Sequence, residues 1–335
     1  MKSIIFIVPY YGTFPSWFQL WLNSCRQNPT IDWMVITDIL TEKYSLPPNV
    51  KIVNYSFEEL SRYIQQKYSD LKIELSSPYK LCDFRPAYGE IFCEYIVNYD
   101  YWGYCDVDLI WGNIRSFLTD DLLSKNYDKL FSLGHCTLYR NLPENNQTYR
   151  SIIPNIINYR QVFSSPKHFA FDERRGIVSI YKYLNKRTYD VIHCYDVEFR
   201  KYKFQPSSSM LHYYPELRKR IGVFRWNFGT VEYIYLEQEE IKKKEFMYVH
   251  FQKRIMSSCL LSRNETIYYM IPNKFISNIQ LSKEEIIKKQ PSGLYWTLLR
   301  SEFKQKLSIL LHKQKVIPFY KGKVERILYA ISLQK

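Results

Sequence analysis

YWGYCDVDLIWGNI, residues Tyr101–Ile114, reads as a buried strand running into two carboxylates, Asp106 and Asp108, and ending in Trp111-Gly112-Asn113. Alternate residues of a strand share a side, so Asp106 and Asp108 are expected to aim together off the strand end. Two close carboxylates repel, and burying them unpaired is costly. A hard cation resolves both problems: Mg²⁺ or Mn²⁺ takes oxygen ligands from one or two carboxylates together with phosphate oxygens. The plainer alternative is a strand end whose acids face water or pair with Arg or Lys.

Upstream, Ser3–Val8 is a continuous apolar run of the kind covered on both faces in a sheet, ended by Pro9-Tyr10-Tyr11-Gly12. A helix is expected over Phe14–Cys25 with Ser16 as its cap, and strands over Trp33–Thr37 and Val50–Val53. Phe57–Lys67 should form a helix opened by a capping box of Ser56 and Glu59. Such alternation argues for an α/β fold, a mainly parallel sheet flanked by helices. Ligands of these sheets bind beyond the carboxyl ends of the strands. Pro9–Gly12, Asp38 and the Asp106–Asp108 pair would all lie at that edge.

Further candidates lie on three later stretches. Lys80, Asp83 and Arg85 precede Pro86, which is favoured in a first helical turn, and a helix N-terminus beside basic residues can take phosphate. A surface ion-pair cluster is the competing reading. In His168–Gly176, Asp172 and Glu173 follow an apolar patch; a carboxylate among aromatic walls can serve as a general base, or it can simply complement a helix dipole. In Phe246–Met256, His250 falls opposite the apolar set Met247, Val249 and Phe251, with Lys253 and Arg254 just beyond. A lone His is commonly structural, yet this one can close a metal site.

The formal net charge of +14 suits an anionic partner: a nucleotide, a nucleic acid or an anionic membrane surface. Lys283–Lys335 holds 12 Lys and Arg against 4 Asp and Glu, and its Leu and Ile are spaced as in basic amphipathic helices. These could lie on the anionic inner-membrane face or pack on the main domain. The 7 cysteines include no C-x-x-C pair, which argues for reduced thiols in a cytosolic protein. Ile4–Val8 is too short for a signal peptide, and no run approaches the ~20 apolar residues of a membrane span. The 10 glycines leave no long Gly-rich phosphate loop.

Taken together and in order, IFIVPYYG, KLCDFRPAYG, YWGYCDVDLIWGNI, HFAFDE and MYVHFQKR resemble the metal-dependent nucleotide-sugar glycosyltransferases of the GT-A fold. More narrowly, they resemble bacterial enzymes of capsule and O-antigen clusters. The resemblance spans roughly residues 1–260 and implies a Rossmann-like GT-A domain, taken over 1–265; the C-terminal segment, 266–335, lies outside the resemblance and is expected to be a basic amphipathic helical extension. It implies that Pro9, Tyr10, Tyr11 and Gly12 border the nucleobase and ribose, and that Lys80, Asp83 and Arg85 hold the nucleotide. Asp106, Asp108 and His250 would bind Mn²⁺ or Mg²⁺, with Lys253 and Arg254 facing the diphosphate. Either Asp172 or Glu173 would be the acceptor-side acid. The implied reaction moves a hexose (galactose in pyranose or furanose form, glucose or an N-acetylhexosamine) from a UDP-sugar donor to a glycan or lipid-linked glycan acceptor. Inversion is preferred, though a retaining enzyme could use the same metal site. The competing class is a non-catalytic scaffold or a basic nucleic-acid binder; no nucleic-acid motif is present, and no nucleic-acid partner is expected.

Overall fold

The apolar runs Ile4–Pro9 (β1) and Ile31–Thr37 (β2) become neighbouring parallel strands covered on both faces. Ile4, Phe6 and Val8 enter one core, while Ile5 and Ile7 enter another. This two-sided burial is why the runs are continuously apolar rather than alternating. The computed structural model describes residues 1–252, 254–260 and 265–289. Over these the chain is a mixed α/β structure built on several sheets.

In chain order the next strands are Val50–Asn54 (β3), Tyr101–Cys105 (β4), Leu109–Trp111 (β5), Lys129–Leu133 (β6), Cys136–Arg140 (β7) and Thr188–Tyr189 (β8). The main sheet has the order β3-β2-β1-β4-β7-β6-β8. Its strands are parallel except β7, which pairs antiparallel with both β4 and β6. The carboxyl ends of β1, β2, β4 and β6 therefore share one edge.

Phe18–Arg26 (α1) covers one face with Phe18, Trp21, Leu22 and Cys25. It starts later than expected, with Trp17 at its cap position and no side-chain cap, so Ser16 does not cap it. Phe57–Lys67 (α2) buries Leu60 and Ile64 against the other face, and the Ser56–Glu59 capping box forms as expected.

Beyond the main sheet come Cys194–Asp196 (β9), Gly222–Asn227 (β10), Thr230–Glu237 (β11), Glu240–Phe246 (β12) and Tyr248–His250 (β13). Ser257–Cys259 (β14), Ile267–Ile271 (β15) and Lys274–Ile276 (β16) follow. A second sheet runs β12-β11-β10-β15-β16-β14, and its Phe224, Trp226 and Val231 share the core of α1. Residues 266–289 of the expected extension supply β15, β16 and a short helix, Lys283–Lys288, whose Ile286 packs with Val223 and Ile234. The remainder of that segment, 290–335, lies outside the described residues. A small third sheet, β5-β13-β9, carries the site. Among the described residues, no helix is long and apolar enough to cross a membrane.

Candidate active site

The strand through Tyr101 stops at Cys105, before the acids. Asp106 and Asp108 occupy the bend between β4 and β5, so strand alternation is not what aligns them. They are aligned by β13, which pairs antiparallel with β5 and sets His250 opposite Leu109. His250 Nε2 lies 3.3 Å from Asp108 Oδ1 and 3.8 Å from Asp106 Oδ2, and the three residues offer ligand atoms within 4.8 Å of one another.

Parallel pairing with β9 places Asp196 beside the other ring nitrogen, and His250 Nδ1 is 2.9 Å from Asp196 Oδ1. Gln252 Nε2 donates to the same oxygen at 2.8 Å. Burial alone would lower the pKa of His250, but Asp108 and Asp196 outweigh it and push the imidazolium up to about 10. The three carboxylates thus favour a protonated imidazole. Nε2 is buried and, among the described residues, makes no hydrogen bond of proper geometry, although it faces two acids. Two carboxylates and one such nitrogen, oriented by a carboxylate behind it, fit the donor set of a divalent cation such as Mn²⁺.

His135 completes the surroundings. It follows β6, and its ring stacks on that of His250 with centroids 3.9 Å apart. Its Nδ1 is 3.2 Å from the Tyr248 hydroxyl, and its carbonyl accepts the Asp106 N–H at 3.0 Å. Burial, with His250 adding, pushes the His135 imidazolium down to about 3, so the ring is neutral at ordinary pH.

Arg85 ties the pair to Asp172. Its guanidinium bonds Asp106, sits 3.1 Å from Asp172 Oδ2 and donates to the Gly134 carbonyl at 2.6 Å. Burial raises the Asp106 carboxyl, yet Arg85, His250 and His135 hold it below its ordinary value. Asp172 is buried, and burial pushes it up to about 7 against the pull of Arg85. Glu173 is exposed beside it. A Cβ on Gly134 would come within 2.9 Å of Glu173 Oε1 and 3.4 Å of Asp172 Oδ2, so the glycine permits this close approach.

At the same edge, Tyr10 stacks on Phe14, and its phenol is raised by burial and then by Asp108 and Asp106. The Tyr11 phenol is raised by burial and by Asp38, and its hydroxyl has no hydrogen-bond partner among the described residues. Gly12 has φ +107°, with open space where a Cβ would stand. Pro9 closes β1, and these residues border the edge as expected.

Lys80, Asp83 and Arg254 do not fit their expected roles. Pro78–Ala87 is a 3-10 stretch with Pro86 inside it, so no helix N-terminus faces a phosphate there. Lys80 and Asp83 are sealed from solvent: the Lys80 ammonium is 2.7 Å from Asp83 and donates to the Val162 and Lys167 carbonyls. They hold the 162–171 segment rather than a ligand. Breaking a buried pair leaves one charge stranded, so Lys80→Met is expected to lose about 3–5 kcal/mol of stability in urea denaturation. Arg254 is likewise buried and spends its guanidinium on the Tyr202, Lys203 and Glu198 carbonyls and on Asn273. Lys253 lies outside the described residues.

The model of a family of unknown function (DUF6625) matches residues 6–279. The chain belongs to DUF6625. No curated protein sequence matches this DUF6625 chain. Among solved structures it is similar to mouse xyloside xylosyltransferase 1 in its apo form, with TM-score 0.36 and 9% identity, over 75% of this chain and 98% of that one. Asp196 and His135 were missed by sequence reasoning. The available signal was position: each ends or follows a strand aimed at the edge already carrying Asp106.

Proposed function

We propose that this DUF6625 protein is a metal-dependent glycosyltransferase that moves a hexose from a UDP-sugar to a glycan or lipid-linked acceptor, with inversion, in bacterial surface polysaccharide synthesis. The observation that carries this reading is the convergence of Asp106, Asp108 and the orphaned His250 Nε2 at the carboxyl edge of a largely parallel sheet. Asp106, Asp108 and His250 would hold Mn²⁺ or Mg²⁺. The ion supplies positive charge where a diphosphate leaving group gains negative charge. Asp196 fixes the His250 ring so that Nε2 faces the acids. Arg85 holds Asp106 and Asp172 in one frame. Asp172, poised near neutrality, takes the acceptor hydroxyl proton, which suits attack opposite the leaving group. Glu173, being exposed, is the weaker candidate. A cytoplasmic site of action, peripheral to the anionic membrane face through the basic C-terminal segment, belongs to the same proposal.

Calorimetric titration of UDP with and without Mn²⁺ tests it. Binding is expected only with Mn²⁺; no binding in either condition would sink the UDP-sugar reading. Asp196→Asn is expected to weaken Mn²⁺ binding by about 10–100-fold, since it removes the partner that orients His250. Unchanged Mn²⁺ affinity in that variant would remove His250 from the ligand set.

A further inference from the structure

We propose that Tyr79 and His168 form a stacking platform for the apolar face of an acceptor pyranose ring beside Asp172. The inference rests on the transferase reading above and names the acceptor subsite of that same site.

Tyr79 lies in the Pro78–Ala87 stretch, next to buried Lys80, and is 65% exposed. Its ring meets that of His168 with centroids 4.7 Å apart and planes inclined by 46°. Single exposed aromatics are ordinary on protein surfaces. What distinguishes this pair is how firmly its two segments are joined. Asp83, on the Tyr79 segment, accepts the Phe169 N–H at 3.0 Å and the Phe171 N–H at 2.9 Å. Its carboxylate is also 3.8 Å from His168 Nε2. Lys80, one residue after Tyr79, bonds the Lys167 carbonyl just before His168. Between the two clamped amides, Ala170 is held at φ +53°, a conformation a non-glycine residue rarely adopts. Such strain persists only where the surroundings over-determine it. The same short loop ends in Asp172, so one buried clamp fixes both the aromatic pair and the acid.

The platform also faces the chemistry. His168 of the pair lies four residues before Asp172, and the Asp83 carboxylate that meets His168 Nε2 also accepts the Phe171 N–H next to Asp172. Arg85 stands between Asp106 and Asp172, so the cation and diphosphate belong on one side of it and the acceptor on the other. Axial C–H groups of a pyranose carry partial positive charge and suit the electron-rich face of an aromatic ring. The phenol can bond a sugar hydroxyl in either sense.

Saturation-transfer NMR on the full chain with UDP and Mn²⁺ tests this, with methyl β-D-galactopyranoside, methyl β-D-glucopyranoside and methyl N-acetyl-β-D-glucosaminide as probes. At least one should receive saturation at its ring C–H protons, reduced by about tenfold in Tyr79→Ala and retained in Tyr79→Phe. UDP affinity, measured by calorimetry, should stay the same in all three proteins, which also shows that the variants fold. Undiminished saturation in Tyr79→Ala, or none with any probe in the wild type, would overturn the platform. Loss of UDP binding in Tyr79→Ala would also overturn it, by assigning the ring to the nucleobase. If the wild type binds no UDP, the transferase reading itself fails; if it binds UDP but no glycoside, the platform alone fails.

Discussion

Asp108→Ala is expected to abolish Mn²⁺-dependent UDP binding and to lower sugar transfer by about 10³-fold or more. Asp108 Oδ1 lies 3.3 Å from His250 Nε2, nearer than Asp106 Oδ2 at 3.8 Å, and among the described residues it pairs with no guanidinium. Asp106 bonds Arg85 in addition to facing His250. Removing Asp108 therefore leaves one shared carboxylate and one imidazole, too few fixed donors for a hard cation. The fold should survive. Burial raises the Asp108 carboxyl more than the His250 imidazolium lowers it, and Asp106 adds to the rise, so removing this buried charge costs the fold little. His250 keeps Asp196 as its partner. A thermal melt close to that of the wild type, combined with lost metal-dependent binding, is the expected outcome. Full transfer activity in the variant would take Asp108 out of the metal site, whereas no metal binding and no transfer in the wild type would return the protein to the scaffold class.

Asp172→Asn should lower kcat by about 10²–10⁴-fold while Mn²⁺-dependent UDP binding stays intact, since a general base acts on the acceptor and not on the nucleotide. In the wild type the base must be ionised. The rate should therefore rise with pH through about 7 and level off above, and this inflection should vanish in the variant. Stability runs the other way. The carboxyl binds its proton more tightly folded than unfolded, so its contribution is fully present below the ordinary carboxylate range and is lost as pH rises through about 7. The wild-type Tm should accordingly fall relative to that of Asp172→Asn between acid pH and pH values above about 7. Equal kcat in the two proteins would move the base elsewhere, with exposed Glu173 next in line.

Lys80 shows where sequence reasoning and structure part. Its stretch carried charges at a Pro-marked turn, and that pattern is shared by a phosphate-binding helix start and by an internal clamp. Only the burial of Lys80 and Asp83 beneath the 162–171 segment separates the two. Arg254 repeats the lesson, because a basic residue just past a strand end can turn outward to a ligand or inward to carbonyls. Features decided by adjacent residues were legible. The Ser56–Glu59 capping box closes within one helical turn, and the two-sided apolar strands at Ile4 and Ile31 are written in uninterrupted runs.

The amino-acid sequence by itself determined the α/β alternation and the place of the two acids just past the Tyr101 strand, because local apolar patterning and strand-end position suffice for each; it left His250 open between a structural role and a site role. The tertiary structure alone decided that β13 lies between β5 and β9, and hence that His250 meets Asp108 on one ring nitrogen and Asp196 on the other. It also decided that Arg85 joins Asp106 to Asp172 and that His135 stacks behind the site. These contacts join residues 21 to 142 positions apart, such as Arg85 with Asp106 and Asp108 with His250. Strand pairing and burial set them, and both are properties of the whole packed chain rather than of any local stretch.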